Sequence, residues 1–440
     1  MKKKEVAEQT VIRRKIDEVW NLFQEQLPAP VCEAGECWDQ KVPMRDQTKL
    51  MTRVILPDGE GPWPVIAIRN PYTPVDSDDY MQIAILALVR YGYAIAYQQV
   101  RGLYHSEGDW YAFEREREDG LDFLTWIARQ PWCDGRIGTY GGSYLGHVQW
   151  AMADAFPPQV KTMYALVWGD DPYTSFYENG MFKQGTWTVW ATQMMCPDRR
   201  ENLSIPNLED YRKAVNVMPP VEADEALYGI RCEWFRNWLS NPCRSDKYWN
   251  QGVWDNYKTV ASKIRIPVLL QTGWFDIFLE PTVRAFRHLD PETRSKSRLV
   301  IGPWHHGNTA GGVVGCPDEN RFGFCQIRLA LEWFEANLKG TAQEENGGMI
   351  DAYVMGEGWK RWNGADIPAT SVRTLYLKHG ADGVHHELKR DAAFKEEHLS
   401  YRYDPENPVM SCGGKLLTNY QKDGAEPECT ALCPSRFRGQ

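Results

Sequence analysis

The chain has 440 residues, of which 43% are hydrophobic and 25% charged, as in globular proteins with a large core and unlike fibrous or disordered chains. The formal net charge is −9, and no basic stripe follows Lys2-Lys3-Lys4, so nucleic acid is not an expected partner. The sequence has no apolar run of about 18 residues, as a membrane span would need, and no apolar signal segment after the lysines. The 11 cysteines include no CxxC pair, which favours reduced thiols in the cytoplasm over disulfides or a zinc site.

Residues 1–38 begin with a predicted amphipathic helix that ends before Pro28 and Pro30. Its apolar side chains recur at helical spacing: Ile12, Ile16, Val19, Trp20, Phe23 and Leu27. Basic and acidic residues are mixed on its polar face, so we expect no membrane binding. The helix is expected to pack on the body of the protein or on a neighbouring subunit.

From about residue 40, short apolar runs alternate with loops and helical stretches. Six of these runs are typical of strands buried on both faces of a parallel sheet: 65–68, 94–97, 137–140, 163–167, 268–270 and 299–301. A helix with Leu121, Leu124 and Ile127 on one side lies between the second and third runs. This alternation predicts an α/β fold, with the sheet built from residues 39–172 and 261–344.

Residues 173–260 interrupt the sheet pattern and are rich in Trp, Tyr, Asn and Asp. They include helical stretches near 210–217 and 232–239, and we interpret them as a helical cap inserted between strands. Such a cap would lie over the carboxyl edge of the sheet, where ligands bind in α/β folds. Residues 345–440 instead contain short strand-like runs at 351–355, 374–378 and 399–403, which predict a separate β domain.

The segment 137–146 reads as a strand, a glycine-rich corner and the start of a helix. A nucleophile elbow has this order, because the chain turns so sharply at the serine that its neighbours must lack bulk. Ser143 is the candidate nucleophile, and the backbone amide of Tyr144 could stabilise an oxyanion. The usual pattern is G-x-S-x-G, but Gly146 comes one place late, so a serine that only caps a helix is the alternative.

An acid and a histidine follow the serine, each just past a predicted strand. Asp276 ends the run Gly273-Trp274-Phe275-Asp276, and His306 lies in Gly302-Pro303-Trp304-His305-His306-Gly307. The order Ser, Asp, His along the chain is that of α/β-hydrolases. In such a triad the imidazole takes the serine proton and the aspartate fixes the ring tautomer. Singly, each residue could be an ordinary turn, surface or core residue; together they predict a catalytic triad.

These motifs resemble the cocaine esterase / X-Pro dipeptidyl-peptidase family, which includes α-amino-acid ester hydrolases and some cephalosporin acylases. The resemblance covers residues 38–425 and rests on several short segments. They are Gly141-Gly142-Ser143-Tyr144-Leu145-Gly146, Trp132-Cys133-Asp134-Gly135, Arg69-Asn70-Pro71-Tyr72, Arg101-Gly102 with Ser106-Glu107-Gly108, Gly273-Trp274-Phe275-Asp276, Gly302-Pro303-Trp304-His305-His306, and Val354-Met355-Gly356 with Trp359 and Trp362. The late glycine of the elbow is the family's own form.

The resemblance implies an α/β-hydrolase fold with Ser143 as nucleophile, Asp276 as the acid and His306, rather than His305, as the base. It also implies that the Tyr72 phenol joins the Tyr144 amide in the oxyanion hole. The substrate would be a small ester or amide with an apolar acyl group, cleaved through an acyl-enzyme that needs no metal or organic cofactor. Candidates for the acyl pocket are Tyr177, Trp274 and Trp168, for which core packing is the alternative role.

Other activities within the family stay open: an X-Pro dipeptidyl peptidase, an α-amino-acid ester hydrolase or acyltransferase, and a catalytically silent relative. An ammonium-binding site needs clustered carboxylates, and the first acid after Asp276 is Glu280. Asp170, Asp171 and Glu178 could supply such a cluster from the cap side. The X-Pro peptidases carry a large extra N-terminal domain, which the short predicted helix does not match.

In the family a jelly-roll domain covers the hydrolase, and residues 345–440 match only its early part. The segments that match are 401–405 and 413–416, after which the similarity fades, as in a truncated chain. An incomplete jelly roll would leave strand edges and apolar surface uncovered. We therefore expect low solubility or self-association into homo-oligomers.

Overall fold

A computed structural model describes residues 29–72, 74, 79–195, 208–306, 322–341, 348–368, 371–380, 386–391, 400, 402–404 and 415. The helix predicted for the N-terminus, up to Pro28, lies outside these residues, and so does most of the strand predicted at 399–403. The segments 405–410 and 416–440 of the predicted β domain are outside them as well. Those predictions stay predictions.

The strands of the described residues account for one large sheet and two hairpins. In chain order they are β1 (Ala34–Pro43), β2 (Lys49–Pro57), β3 (Trp63–Asn70), β4 (Ala94–Gln99), β5 (Cys133–Gly142), β6 (Val160–Leu166), β7 (Tyr177–Glu178), β8 (Met181–Phe182), β9 (Val268–Phe275), β10 (Arg298–His305), β11 (Met349–Val354), β12 (Gly358–Asn363), β13 (Tyr376–His379) and β14 (His386–Lys389).

The large sheet has ten strands in the order β1-β2-β4-β3-β5-β6-β9-β10-β11-β12. Strands β4, β3, β5, β6, β9, β10 and β11 run parallel, while β1 and β2 at one edge and β12 at the other are antiparallel to their neighbours. All six strands that the apolar runs predict belong to this sheet, so the α/β class is confirmed.

Helices connect the strands and cover the sheet. In chain order they are α1 (Asp79–Arg90), α2 (Glu116–Ile127), α3 (Tyr144–Trp150), α4 (Pro172–Phe176), α5 (Gln184–Met195), α6 (Leu208–Val215), α7 (Ala223–Tyr228), α8 (Glu233–Ser240), α9 (Gly252–Lys263), α10 (Leu279–His288), α11 (Pro291–Arg294) and α12 (Phe322–Phe334), the last followed by a π-helical turn (Glu335–Lys339). Helices α4 to α9 lie between β6 and β9, in the region expected to form the cap.

The core lies on both faces of the sheet because successive side chains of a strand point in opposite directions. On β3, Ile66 and Ile68 pack with the side chains of α1 and α12. Val65 and Ala67 pack with α2 on the other face. A third cluster joins the cap helices to the sheet and holds most of the buried tryptophans. Burial on two faces explains why these strands are continuous apolar runs.

The region predicted as a β domain from residue 345 begins instead with two strands of the central sheet. Strand β11 pairs in parallel with β10, and β12 pairs with β11 in antiparallel fashion. The boundary at residue 345 therefore divides the sheet and is wrong. Five of the six residues of β11 are buried, so it is a covered sheet strand, and a short apolar run does not distinguish this from a sandwich strand. Strands β13 and β14 form a separate hairpin.

No helix of the described residues is long and apolar enough to cross a membrane.

Candidate functional site

Ser143 lies at the turn between β5 and α3. Its backbone has a φ of 57° and a ψ of −122°, an unusual conformation for a residue with a side chain. Such backbone strain concentrates at functional sites, where the surrounding structure holds it. The turn directs Ser143 away from the sheet at the carboxyl end of β5, as a nucleophile elbow requires.

Steric contacts explain why glycines occupy their positions in the motif around Ser143. Gly141 has a φ of +144°, and a Cβ there would lie 2.4 Å from the Cβ of Leu145. A Cβ on Gly146 would lie 2.8 Å from the Cβ of Trp168 and 2.9 Å from the carbonyl oxygen of Leu166. The late glycine therefore allows α3 to lie against the end of β6.

The side chains of Ser143, His306 and Asp276 lie in one hydrogen-bonded line. The Oγ atom of Ser143 is 3.0 Å from Nε2 of His306, and Nδ1 of His306 is 2.9 Å from Oδ1 of Asp276. Asp276 is fully buried, and its carboxylate also accepts hydrogen bonds from the Thr272 hydroxyl and the Phe278 amide. Because Asp276 accepts a hydrogen bond from Nδ1 of His306, the neutral ring carries its hydrogen on Nδ1. Its Nε2 is then an acceptor for the Ser143 hydroxyl.

Tyr72 lies beside this line, two residues after the end of β3. Its hydroxyl oxygen is 3.3 Å from Oγ of Ser143 and accepts a hydrogen bond from Nε1 of Trp190. Its backbone is held on both sides: the Tyr72 amide donates to Oδ1 of Asn70, and the Tyr104 hydroxyl donates to the Tyr72 carbonyl. Because the single hydrogen of the Ser143 hydroxyl is directed to Nε2 of His306, the Tyr72 phenol is the donor in its contact with Oγ of Ser143.

The second candidate oxyanion donor is the backbone amide of Tyr144, the first residue of α3, where amides have no acceptor within the helix. The Tyr144 side chain is buried, and its hydroxyl donates to Oε1 of Glu116 at 2.8 Å. Burial raises the pKa of this phenol well above its usual range, so it stays protonated. Glu116 accepts from Arg69 as well, at 2.7 Å. Burial raises the pKa of the Glu116 carboxyl, and the Arg69 guanidinium opposes that shift.

A buried histidine, His147, connects α3 to the wall of the site. Its Nε2 is 2.8 Å from the carbonyl oxygen of Phe113, which can only accept, so the Tyr257 hydroxyl donates to Nδ1 at 2.5 Å. The Tyr257 oxygen in turn accepts from Nε1 of Trp168 at 3.1 Å. Burial lowers the pKa of His147 to about 3, so the ring is neutral and this hydrogen-bond direction is fixed.

Ser143 opens into a small cavity with a free volume of about 10 Å³, roughly room for one water molecule. Its lining is mostly aromatic and apolar: Tyr72, Phe113, Tyr144, Trp168, Thr186, Trp187, Trp190, Ile277 and Phe278. Trp168, a predicted pocket residue, is among them. Phe113 has a φ of 71° and stacks on Tyr144 and Trp168, with ring centroids 4.7 and 5.5 Å apart. No feature of the sequence around Phe113 indicates this position.

The other two predicted pocket residues do not line this cavity within the described part of the chain. The Tyr177 ring is buried in the cap, where its hydroxyl donates to the carbonyl of Trp238 at 2.7 Å. Trp274 lies at the end of β9, and its Nε1 donates to the carbonyl of Tyr353 on β11 at 2.7 Å. Both side chains make packing contacts of the kind given as the alternative role, and their place in an acyl pocket stays a prediction. His305 is also buried, which lowers its pKa, and it is His306 that faces Ser143.

The carboxylates considered for an ammonium site are paired with basic side chains. Asp170 lies 2.9 Å from Arg284 and 2.6 Å from His288, both on α10. Asp171 pairs with Arg244 at 2.6 Å. Glu178 lies 3.5 Å from Lys183. The Arg284, Arg244 and Lys183 partners offset the negative charge to which a substrate ammonium group would bind.

Among the described residues, no group of three or more His, Cys, Asp or Glu side chains could hold a metal ion. A serine hydroxyl next to a neutral imidazole, as at Ser143, can act as a nucleophile because the imidazole can accept its proton.

Comparison with known proteins places the chain among enzymes that share this fold. The model of the X-Pro dipeptidyl-peptidase (S15) family matches residues 46–308. A curated relative is the cocaine esterase of Rhodococcus sp. (strain MB1 Bresler), which is 28% identical over 415 residues, covering 87% of this chain and 70% of the esterase.

Two solved structures resemble the fold. An aminopeptidase from a marine sediment archaeon, Thaumarchaeota archaeon, has a TM-score of 0.62 and 20% identity, with 80% of this chain and 66% of that one covered. An α-amino acid ester hydrolase has a TM-score of 0.63 and 19% identity, with 83% and 64% covered. The chain thus spans slightly less than two thirds of both solved proteins.

The family match extends from β2 across the elbow and the cap to the loop that carries His306, and it includes all three side chains of the hydrogen-bonded line. The chain therefore belongs to the X-Pro dipeptidyl-peptidase (S15) family of hydrolases.

Proposed function

We propose that this protein is a serine hydrolase that cleaves an ester or amide of a small apolar acyl group. The observation that carries the proposal is the line from Ser143 through His306 to the buried Asp276, with distances of 3.0 and 2.9 Å. A Ser-His-Asp line of this geometry supports nucleophilic catalysis without a cofactor. Membership of a hydrolase family supports the same reaction type.

In the first half of the reaction, Oγ of Ser143 forms a bond to the substrate carbonyl carbon and passes its proton to Nε2 of His306. Asp276 holds the ring through Nδ1 and stabilises the imidazolium that results. The carbonyl oxygen becomes an oxyanion next to the Tyr72 phenol and the Tyr144 amide, each worth about 3–4 kcal/mol of transition-state stabilisation by analogy with other oxyanion donors. The bond to the leaving group then breaks as His306 returns the proton to it.

In the second half, water attacks the acyl-enzyme and His306 takes one of its protons. The tetrahedral intermediate collapses, the C–O bond to Ser143 breaks, and Oγ regains a proton from His306. The acid is released. An amine or alcohol that attacked in place of water would give acyl transfer, and the product mixture in the presence of hydroxylamine distinguishes the two outcomes.

The cavity supports a small and apolar acyl group. Its free volume of about 10 Å³ is far below the range of about 300–1,000 Å³ for sites that hold drug-sized ligands, and aromatic rings make up most of its lining. An α-amino-acid acyl group has less support, since Arg284, His288 and Arg244 already pair with Asp170 and Asp171.

The proposal is tested by turnover of p-nitrophenyl esters with acyl chains of increasing length. We expect kcat/KM to be highest for short acyl groups and to fall once the chain exceeds the cavity. Ser143→Ala should remove turnover, whereas Ser262→Ala, a surface change on α9, should leave it unchanged. Turnover that survives Ser143→Ala, or a folded wild-type protein with no turnover of any ester or anilide, would contradict the proposal.

A further inference from the structure

The side chain of Glu116, at the start of α2, touches both structural elements that carry the candidate oxyanion donors. Oε2 of Glu116 accepts from Nη1 of Arg69 at 2.7 Å, and Oε1 accepts from the Tyr144 hydroxyl at 2.8 Å. Arg69 is in β3, just before the loop with Tyr72, and Tyr144 is the first residue of α3. Both Arg69 and Glu116 are nearly inaccessible to solvent, with side chains 2% and 4% exposed.

The direction of the bond between Tyr144 and Glu116 is fixed by the other groups around the phenol. The amide of Phe113 donates to the Tyr144 hydroxyl at 2.9 Å, and Nε1 of Trp110 donates to it at 3.2 Å. Both are donors only, so they occupy the lone pairs of the phenol oxygen. The phenol hydrogen is therefore directed to the Glu116 carboxylate, which anchors the Tyr144 ring in one orientation.

On the other side, Arg69 links the same carboxylate to the segment of Tyr72. Arg69 donates to the side chain of Gln98 and to the backbone carbonyl of Glu116, both at 2.9 Å. The next residue, Asn70, accepts the Tyr72 amide at 2.7 Å and donates to the Tyr97 hydroxyl at 2.6 Å. One carboxylate thus connects a strand end and a helix start that are distant in sequence.

We propose that Glu116 is a positioning residue of the oxyanion hole, which holds the Tyr144 and Tyr72 segments in register through Tyr144's hydroxyl and Arg69. The inference rests on the proposed function, because the oxyanion hole is part of it. Two donors on separate elements stabilise an oxyanion only when both are held within about 0.5 Å of the productive geometry. Neither the Glu116 side chain nor the Tyr144 hydroxyl acts on the substrate in this role.

The most direct variant is Tyr144→Phe, because it keeps the ring and the backbone amide and removes the bond to Glu116, together with the acceptor of the Phe113 amide and of Nε1 of Trp110. We expect kcat for p-nitrophenyl butyrate to fall about tenfold to a hundredfold, the range that small misplacements of catalytic groups produce. KM should stay within about twofold, because only transition-state stabilisation is lost. In Glu116→Gln the side-chain NH2 group would face the Arg69 guanidinium, so two donors would meet. This variant should also lower kcat.

The matched control is Tyr93→Phe. Tyr93 is also fully buried, and its hydroxyl donates to a carboxylate, Glu335, at 2.9 Å. That carboxylate keeps Lys339 as a partner, just as Glu116 keeps Arg69 in the test variant. Tyr93 packs against Phe334 of α12, in a different core cluster from the one that joins the cap helices to the sheet. Tyr93→Phe should lower the melting temperature, because it removes one buried hydrogen bond, and leave kcat at the wild-type value.

Inhibition by a trifluoromethyl ketone distinguishes a loss of positioning from a general loss of structure. Oγ of Ser143 adds to its carbonyl carbon, the Ser143 proton moves to His306, and the carbonyl oxygen becomes an oxyanion in the proposed hole. We expect its inhibition constant to rise in Tyr144→Phe by the same factor by which kcat/KM falls. Binding of butyrate, the product acid, should not change.

Several outcomes would overturn the positioning role. One is a folded Tyr144→Phe protein with wild-type kcat, and another is a fall in kcat with an unchanged inhibition constant for the ketone. A fall in kcat that Tyr93→Phe reproduces would also overturn it. A wild-type protein without turnover would contradict the proposed function itself, so the two failures are distinct.

Discussion

His147 gives the stability of this protein a pH dependence that one substitution removes. The imidazole of His147, on α3, is fully buried, donates to the carbonyl of Phe113 and accepts from the Tyr257 hydroxyl. A second proton on the ring would displace the Tyr257 donor and add a buried positive charge that the Arg69 guanidinium repels. Burial accordingly lowers the pKa of His147 from 6.5 to about 3.

The sign and size of the effect follow from these two values. Between pH 3 and pH 6.5 the unfolded chain binds a proton at His147 and the folded protein does not, so acid favours unfolding. The stability is fully present above pH 6.5 and is lost as the pH falls below it. Each pH unit in this window costs about 1.4 kcal/mol, so about 2 kcal/mol is lost at pH 5.

The assay is denaturant unfolding of the wild type and of His147→Gln at about pH 7.5 and pH 5. Glutamine can donate to the Phe113 carbonyl and accept from Tyr257, but it does not titrate. We expect the variant to be less stable than the wild type at the higher pH, and this deficit to shrink by about 2 kcal/mol at the lower one. Because both proteins contain the other histidines, the contribution of those histidines to the pH dependence cancels in the comparison. An equal pH dependence in both proteins would refute the buried, neutral state of His147.

Three further substitutions test the site. Tyr72→Phe removes one proposed oxyanion donor and should lower kcat about 10²–10³-fold in an esterase assay; a wild-type kcat would exclude the phenol from the hole. Asp276→Asn leaves His306 without a carboxylate and should lower kcat about 10⁴-fold, whereas a loss below tenfold would argue against a triad. Gly146→Ala places a methyl group 2.8 Å from Trp168 and should cost about 1–3 kcal/mol; an unchanged melting temperature would show that this contact relaxes freely.

Much of the fold is predictable from the sequence because the central strands are buried on both faces. Runs such as 65–68 and 268–270 are continuous in apolar residues, and that pattern survives in any sheet covered on two sides. The flanking strands are harder. Strand β1 is largely exposed, so its sequence carries no apolar run. The short apolar run of β11 is equally typical of a strand in the central sheet and of a strand in a β-sandwich. This ambiguity explains the wrong boundary at residue 345.

The line of Ser143, Asp276 and His306 is predictable because each residue directly follows a strand, and parallel strands bring their carboxyl ends to one edge. The lining of the cavity is not predictable from the sequence, because it comes from side chains on different elements. Phe113 lies in a loop before α2, and Trp187 and Trp190 are on cap helix α5. Whether an aromatic side chain faces the cavity or the core depends on tertiary packing, and Tyr177 and Trp274 donate to backbone carbonyls outside the lining of this cavity.

The proposed role of Ser143 as the nucleophile is tested most directly by intact-mass spectrometry after incubation with a fluorophosphonate. Attack by Oγ of Ser143 on phosphorus expels fluoride and leaves a covalent adduct of known mass. We predict one adduct per wild-type chain, none on Ser143→Ala, and much slower labelling of His306→Ala, in which Ser143 lacks its base. Absence of an adduct on folded wild-type protein, or labelling that persists in Ser143→Ala, would contradict the assignment.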